Sequence, residues 1–176
     1  MTSSFFLVLV IATYCSHVFA IHFVPCPDAD KLDCPCMEQM RRAMSGCRKN
    51  PGCNGRNCGP FQISPEFYMD ASCPTVDSKC LRYDSCDGKS PEFKANFVKC
   101  TYNLDCSIQC VNLQQSKYPD LIKKCKGTTL CEKKLHALIH GPFNCQEPID
   151  EIFYQRFNDT SRCPCGVYSN TLVQIQ

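Results

Sequence analysis

Phe5 to Thr13 (FFLVLVIAT) is an unbroken apolar run, and residues 1–20 carry no acidic or basic side chain. Val18-Phe19-Ala20 follows, with small residues where a signal peptidase reads them, so residues 1–20 are expected to be a secretory signal peptide. The run is shorter than the roughly 20 apolar residues that span a bilayer. From Met37 the apolar period changes. Met37, Met40 and Met44 fall at i, i+3 and i+7, which places three thioethers on one face of a helix over about 37–45. Glu38 and Arg42 lie away from that stripe, and Gly46 is placed to end the helix in a left-handed cap. Asn50-Pro51-Gly52 and Asn54-Gly55 are turn signals, and with Phe61-Gln62-Ile63 they predict a small hairpin near 53–63. Residues 71–92 read as a loop. Apolar spacing near 3.6 returns in 93–101, 106–117 and 131–139, which predicts a helical second half. The expected class is α+β, mainly helical with one short hairpin.

Cleavage after Ala20 leaves about 156 of the 176 residues, room for one domain. Residues 21–30 read as an extended lead-in, 31–165 as the folded domain and 166–176 as a tail. Of 18 cysteines, removal of Cys15 with the signal leaves 17, more than a tenth of the mature chain. That density marks a disulfide scaffold in an oxidising compartment, and so a secreted protein. Cys34-Pro-Cys36 and Cys163-Pro-Cys165 invite a zinc reading, but zinc motifs space their cysteines two to four apart. No metal or other cofactor is expected. Cys80 and Cys86 are near enough in sequence to close on each other, and Cys106 and Cys110 share a helix face from which each can staple a neighbour. Seventeen is odd, so one thiol is free or joins two copies of an otherwise monomeric chain.

Net charge is only +2, yet it is uneven. Lys31, Arg41, Arg42, Arg48, Lys49 and Arg56 outweigh Asp33 and Glu38 between residues 31 and 58. Such a patch can face an anionic polymer such as a bacterial wall, or simply water. No aromatic pattern suggests nucleic acid, and nothing after the signal suggests a membrane. Asn158-Asp159-Thr160 is a glycosylation sequon.

The order of landmarks resembles the invertebrate-type lysozymes, or destabilase family. It runs through Cys34-Pro-Cys36, Ser45-Gly46-Cys47, Pro51-Gly52-Cys53 and Cys58-Gly59-Pro60-Phe61-Gln62-Ile63, the most specific piece. Phe67-Tyr68-Met69-Asp70, then Cys100, Cys106, Cys110-Val111 and His140-Gly141-Pro142 with Cys145, complete it. The resemblance implies a compact lysozyme-like fold and bacterial peptidoglycan, or a related glycan, as partner. In the family's pattern the first cysteine falls on Lys31, so Cys26 is the candidate to replace it. One of Cys163 and Cys165 is surplus and is the candidate odd thiol.

The resemblance also exposes what is missing. Glycosidic cleavage uses two carboxyl groups flanking the bond, one as acid and one as nucleophile or base. The family's acid is a Glu directly before Ser-Gly-Cys, and that position here is Met44. Its Asp lies between the two cysteines before Gly-Pro-Phe-Gln-Ile, where this chain has Asn54-Gly55-Arg56-Asn57 and no acid. Glu38 is the substitute acid on offer. Six helical positions separate it from Met44, roughly 9 Å of rise and about 120° from the required direction. An isopeptidase activity credited to some members needs Ser, Lys and His at positions that are here Asn57, Ser64 and His140, so only the histidine remains. Ser45 has no activating base nearby in sequence. Tyr68, Gln62 and His140 are the expected sugar-binding residues. Two functions stay open: a lysozyme homologue acting on bacterial walls in defence or digestion, or a non-catalytic glycan-binding protein on the same scaffold. A cysteine-rich inhibitor or toxin has only composition behind it.

Overall fold

The computed structural model describes residues 23–27, 33–48 and 51–159. The expected signal peptide and C-terminal tail, with Cys163 and Cys165, lie outside these residues.

Helix α1 spans Cys34–Ser45. It begins three residues before the methionine stripe because Asp33 caps it, accepting from the Cys36 N–H at 3.2 Å, with Pro35 in the first turn. Gly46 ends it at φ 59°, in the left-handed region expected of that residue. Met37 and Met40 are buried, while Met44 is half-buried at the helix's far end. Arg42 is buried as well, not solvated.

The hairpin is formed by β2 (Cys53–Asn54) and β3 (Asn57–Cys58), with Cys58 also exchanging two backbone hydrogen bonds with Ile63. A second two-stranded sheet pairs β1 (Phe23–Pro25) antiparallel with β4 (Lys79–Leu81). The lead-in is thus anchored, and the 71–92 segment is not all loop.

Six more helices follow: α2 (Pro65–Asp70), α3 (Pro91–Tyr102), α4 (Leu104–Lys117), α5 (Pro119–Lys123), α6 (Leu130–His140) and α7 (Glu151–Asn158). The central one is α4, buried on nearly every side from Cys106 to Gln115 and touching α2, α3, α5 and α6. Its Ile108 and Val111 share the core with Phe61, Ile63, Tyr68, Phe93 and Leu135. The C-terminal helix α7 lies chiefly on α1, where Arg42 Nε donates to the Arg156 carbonyl at 3.0 Å.

Two cysteine expectations are corrected. Cys80 does not join Cys86: the β1–β4 pairing brings Cys26 to Cys80, and Cys86 closes on Cys73. Cys106 staples to Cys100, but Cys110, one turn on, is fully buried among apolar neighbours and is the free thiol among the described residues. Burial pushes its ionisation far up, so it is held as an inert neutral thiol. Cys36–Cys131, Cys53–Cys58 and Cys125–Cys145 are also bonded, and Cys34 and Cys47 are oxidised too.

Cys36–Cys131 closes 95 residues, a constraint worth about 4–5 kcal/mol against the unfolded chain. That is comparable to the whole stability of a domain this size. Reduction should therefore lower the melting temperature steeply, and a melting curve unmoved by reductant would contradict this.

His136 on α6 is fully buried, which gives α7 a polar lock. Its Nδ1 lies 3.1 Å from the Glu147 carbonyl, which can only accept, so Nδ1 carries the proton. Nε2 then accepts from the Tyr154 hydroxyl at 2.8 Å. Burial above all pushes the imidazole pKa below its ordinary value. The unfolded chain therefore takes up this proton first, so the stability is whole above about pH 6.5 and declines as pH falls below it. Glu132, held low by the Thr128 hydroxyl and its capping bonds, acts only below the ordinary carboxylate range. Melting temperature should fall from pH 7 to 5 in the wild type, and His136→Gln should flatten that slope. An identical slope in the variant would rule the lock out.

Candidate functional site

A groove of about 850 Å³ opens between the C-terminal ends of α1 and α6. The hairpin and α2 form one side, and α7 and the α4–α5 junction complete it.

The hairpin's position follows from its sequence. Cys53–Cys58 closes it, and Gly55 takes φ 62° in its turn. Gly59 packs so closely on α3 that a Cβ there would sit 1.8 Å from the Thr101 carbonyl oxygen. Its φ of 76° also favours glycine. Gln62, forced to φ 48°, turns its amide back: Nε2 donates to the Gly59 carbonyl at 2.7 Å. The hairpin tip is tied to α2 by an ion pair between Arg56 and Glu66.

Ser64 caps α2, accepting from the Phe67 N–H at 3.1 Å, with Pro65 opening the first turn. This fixes the helix phase. Tyr68 turns into the core, edge-on to Phe93 and Phe97, and donates to the Pro74 carbonyl at 2.7 Å. Glu66 and Asp70, four apart, share the groove side with Phe67.

Asp70 is the best-held carboxylate in the site. It accepts from Lys117 Nζ at 2.6 Å, the Tyr118 hydroxyl at 2.8 Å and Gln114 Nε2 at 3.2 Å. The hydrogen bond to Asp70 raises the Lys117 pKa, and partial burial followed by the same carboxylate raises that of Tyr118. The Tyr118 ring stands edge-on to Phe143 with centroids 5.6 Å apart, and Phe143 is 74% exposed on the rim. Gln114 Oε1 and His140 Nε2 are buried with no hydrogen-bond partner among the described residues.

Met44, Gln62 and His140 meet in the groove, although the Gln62 amide is spent on its own turn. Tyr68 does not face it: its neighbour Phe67 does, and Tyr68 is 0% exposed. Glu38 is half-buried on α1, where its charge acts on Arg41, and is not among the groove residues. Sequence reasoning missed Glu66, Asp70, Gln114, Tyr118, Phe143, Arg48 and Arg156. The i, i+4 spacing of Glu66 and Asp70 after a Ser-Pro helix start was a usable signal; the others come from separate elements. Chemically, the groove offers an aromatic edge, unspent hydrogen-bonding atoms and, among the described residues, carboxylates from α2 only.

A disulfide-stapled helical fold around such a groove defines a lysozyme-like protein. The family model Destabilase, that of the invertebrate-type lysozymes, matches residues 33–163, and the chain belongs to that family. Its fold is similar to that of Meretrix lusoria lysozyme in complex with Aeromonas hydrophila PliI, at TM-score 0.50 and 23% identity over 73% of this chain and 90% of that one. An inhibitor-bound structure of Meretrix lusoria lysozyme is similar at TM-score 0.50 and 22% identity, over the same shares. No curated protein sequence matches the chain.

The Gly59 contact leaves no room for a methyl group. Gly59→Ala should cost on the order of 3 kcal/mol, from backbone strain plus the clash with Thr101. A urea-unfolding midpoint equal to the wild type's would show that hairpin and α3 are not packed this way.

Proposed function

We propose that this is a secreted protein that binds bacterial peptidoglycan, or a closely related glycan, in the groove and does not turn it over. One observation carries the reading. The wall that should present the acid presents Met44, and the groove's carboxylates, Glu66 and Asp70, stand together on one helix. Each already faces a cation, Arg56 or Lys117. Hydrolysis needs two carboxyl groups on opposite sides of the bond, one of them protonated. A thioether donates no proton, and two carboxylates on one face flank nothing. Binding needs neither. The exposed Phe143 edge and the unspent Gln114 and His140 atoms suit a sugar's apolar face and hydroxyl groups.

Secretion is supported by the apolar run of residues 5–13 and by the disulfides. Among the described residues no helix is long and apolar enough to cross a membrane.

The test is reducing-sugar release from purified peptidoglycan, run beside retention on the insoluble polymer. Loss of a positioned acid alone forfeits about 10²–10⁴-fold in rate. Wild type should be retained without measurable release, and Met44→Glu should gain little, because the other carboxylates of the groove, Glu66 and Asp70, are each already paired with a cation. Robust wild-type turnover abolished by Glu38→Gln, Glu66→Gln or Asp70→Asn would overturn the reading and name the acid.

A further inference from the structure

We infer that the groove selects an acidic sugar chain, one bearing carboxylate or sulfate groups, and that Arg48 and Arg156 read the charge. The inference rests on the groove being the glycan site.

The groove's charges sort into two kinds. Glu66 and Asp70 are cancelled by Arg56 and Lys117. Arg48 and Arg156 also line it, and neither forms an ion pair among the described residues. Both are fixed at their bases. Arg48 Nε donates to the Ser45 carbonyl at 3.1 Å, at the end of α1, and the rest of its guanidinium has no partner among the described residues. Arg156 is half-buried, and its own carbonyl is held by buried Arg42. Two guanidinium groups in the groove that Met44 lines therefore lack an anion among the described residues, where the family's pattern has a carboxylate. A planar fork of donors matches a carboxylate or sulfate in two contacts at once.

A second, independent observation narrows the ligand to a sugar. Gln114 is 2% exposed and lines the groove, with Nε2 spent on Asp70 and Oε1 buried without a partner. A buried acceptor left unpaired is costly, and a ligand hydroxyl satisfies it. His140 Nε2 presents the same need nearby, and Phe143 beside Tyr118 offers an apolar edge. A bare polyanion satisfies the arginines alone, and a neutral chitin chain satisfies all but the arginines. An acidic sugar satisfies every group.

The test is equilibrium binding of the intact, disulfide-bonded protein at about 0.15 M salt, where exposed charges are screened beyond about 8 Å. The probes are tetragalacturonate, a sulfated galactan tetrasaccharide, chitotetraose and inorganic polyphosphate. At least one acidic tetrasaccharide should bind about tenfold more tightly than chitotetraose. Arg48→Gln and Arg156→Gln should each weaken that acidic chain about three- to tenfold and leave chitotetraose unchanged. The double variant should erase the preference. Gln114→Met should weaken all three saccharides and leave polyphosphate alone, and Lys94→Gln with Lys99→Gln, on the exposed face of α3, should change nothing. Which acidic chain responds tells carboxylate from sulfate. Equal binding of neutral and acidic chains, or a preference that survives the double arginine variant, overturns this assignment alone. So does polyphosphate binding as tightly as any saccharide. Absence of binding by every saccharide overturns the glycan-site reading with it.

Discussion

Cys36 and Cys131 lie in the first turns of α1 and α6, and the bond between them sets both ends of the groove. From that tie α1 runs eight residues to Met44 and α6 nine residues to His140, roughly 12–14 Å along each helix. Two rods pinned at one end and capped by glycine at the other hold a fixed gap between their tips. Neither helix would be stable alone at 12 and 11 residues, so their length and spacing are tertiary properties. Gly46 and Gly141 matter for the same reason. They end the helices where the gap must open, Gly46 at φ 59° and Gly141 at φ 77°.

Against this rigid pair the remaining wall is held by hydrogen bonds and close contact. The hairpin leans on α3 through Gly59 and is tied to α2 at its tip; α2 is tied to the α4–α5 junction through Asp70. The Arg56–Glu66 pair is solvent-exposed and contributes little to stability, about 0–1 kcal/mol. Its effect is electrostatic. It removes a carboxylate and a cation from the groove together, as Lys117 and Asp70 do further along. Among the described residues, what stays unbalanced in the groove is Arg48 and Arg156, so its field is set by how its ion pairs close and not by the near-neutral chain as a whole.

Local signals were legible in the sequence; pairings across the fold were not. The methionine stripe and Gly46 located α1 to within three residues, and the Asn-Gly and Asn-Pro-Gly signals located the hairpin. Helices α3, α4 and α6 followed from their spacing. The β1–β4 pair was invisible because two three-residue strands, more than 50 residues apart, carry no period of their own. Cysteine partners failed for the same reason: proximity in sequence favoured Cys80–Cys86, while the strand pairing delivered Cys26 to Cys80. In the site, one residue of helix phase decided the outcome. Phe67 and Tyr68 are adjacent aromatic residues, and only the Ser64 cap tells which faces the groove. Glu66 and Asp70 went unread as groove residues because a carboxylate's partners, Arg56 and Lys117, come from elements that sequence cannot place side by side.

Met44 shows how one side chain can serve both the core and the groove. In helix α1 the methionine continues the stripe of Met37 and Met40, so the side chain that lines the groove also extends the core's apolar face. A glutamate at that position would need desolvation, or a low-dielectric pocket, to stay protonated. Here it would share the groove with Arg48 and Arg156, and positive charge nearby favours the ionised form and opposes proton donation. The methionine and the two arginines are therefore consistent with one another. A wall that offers cations and a thioether gives no proton, so the residues proposed above to read an acidic sugar would also work against cleaving it.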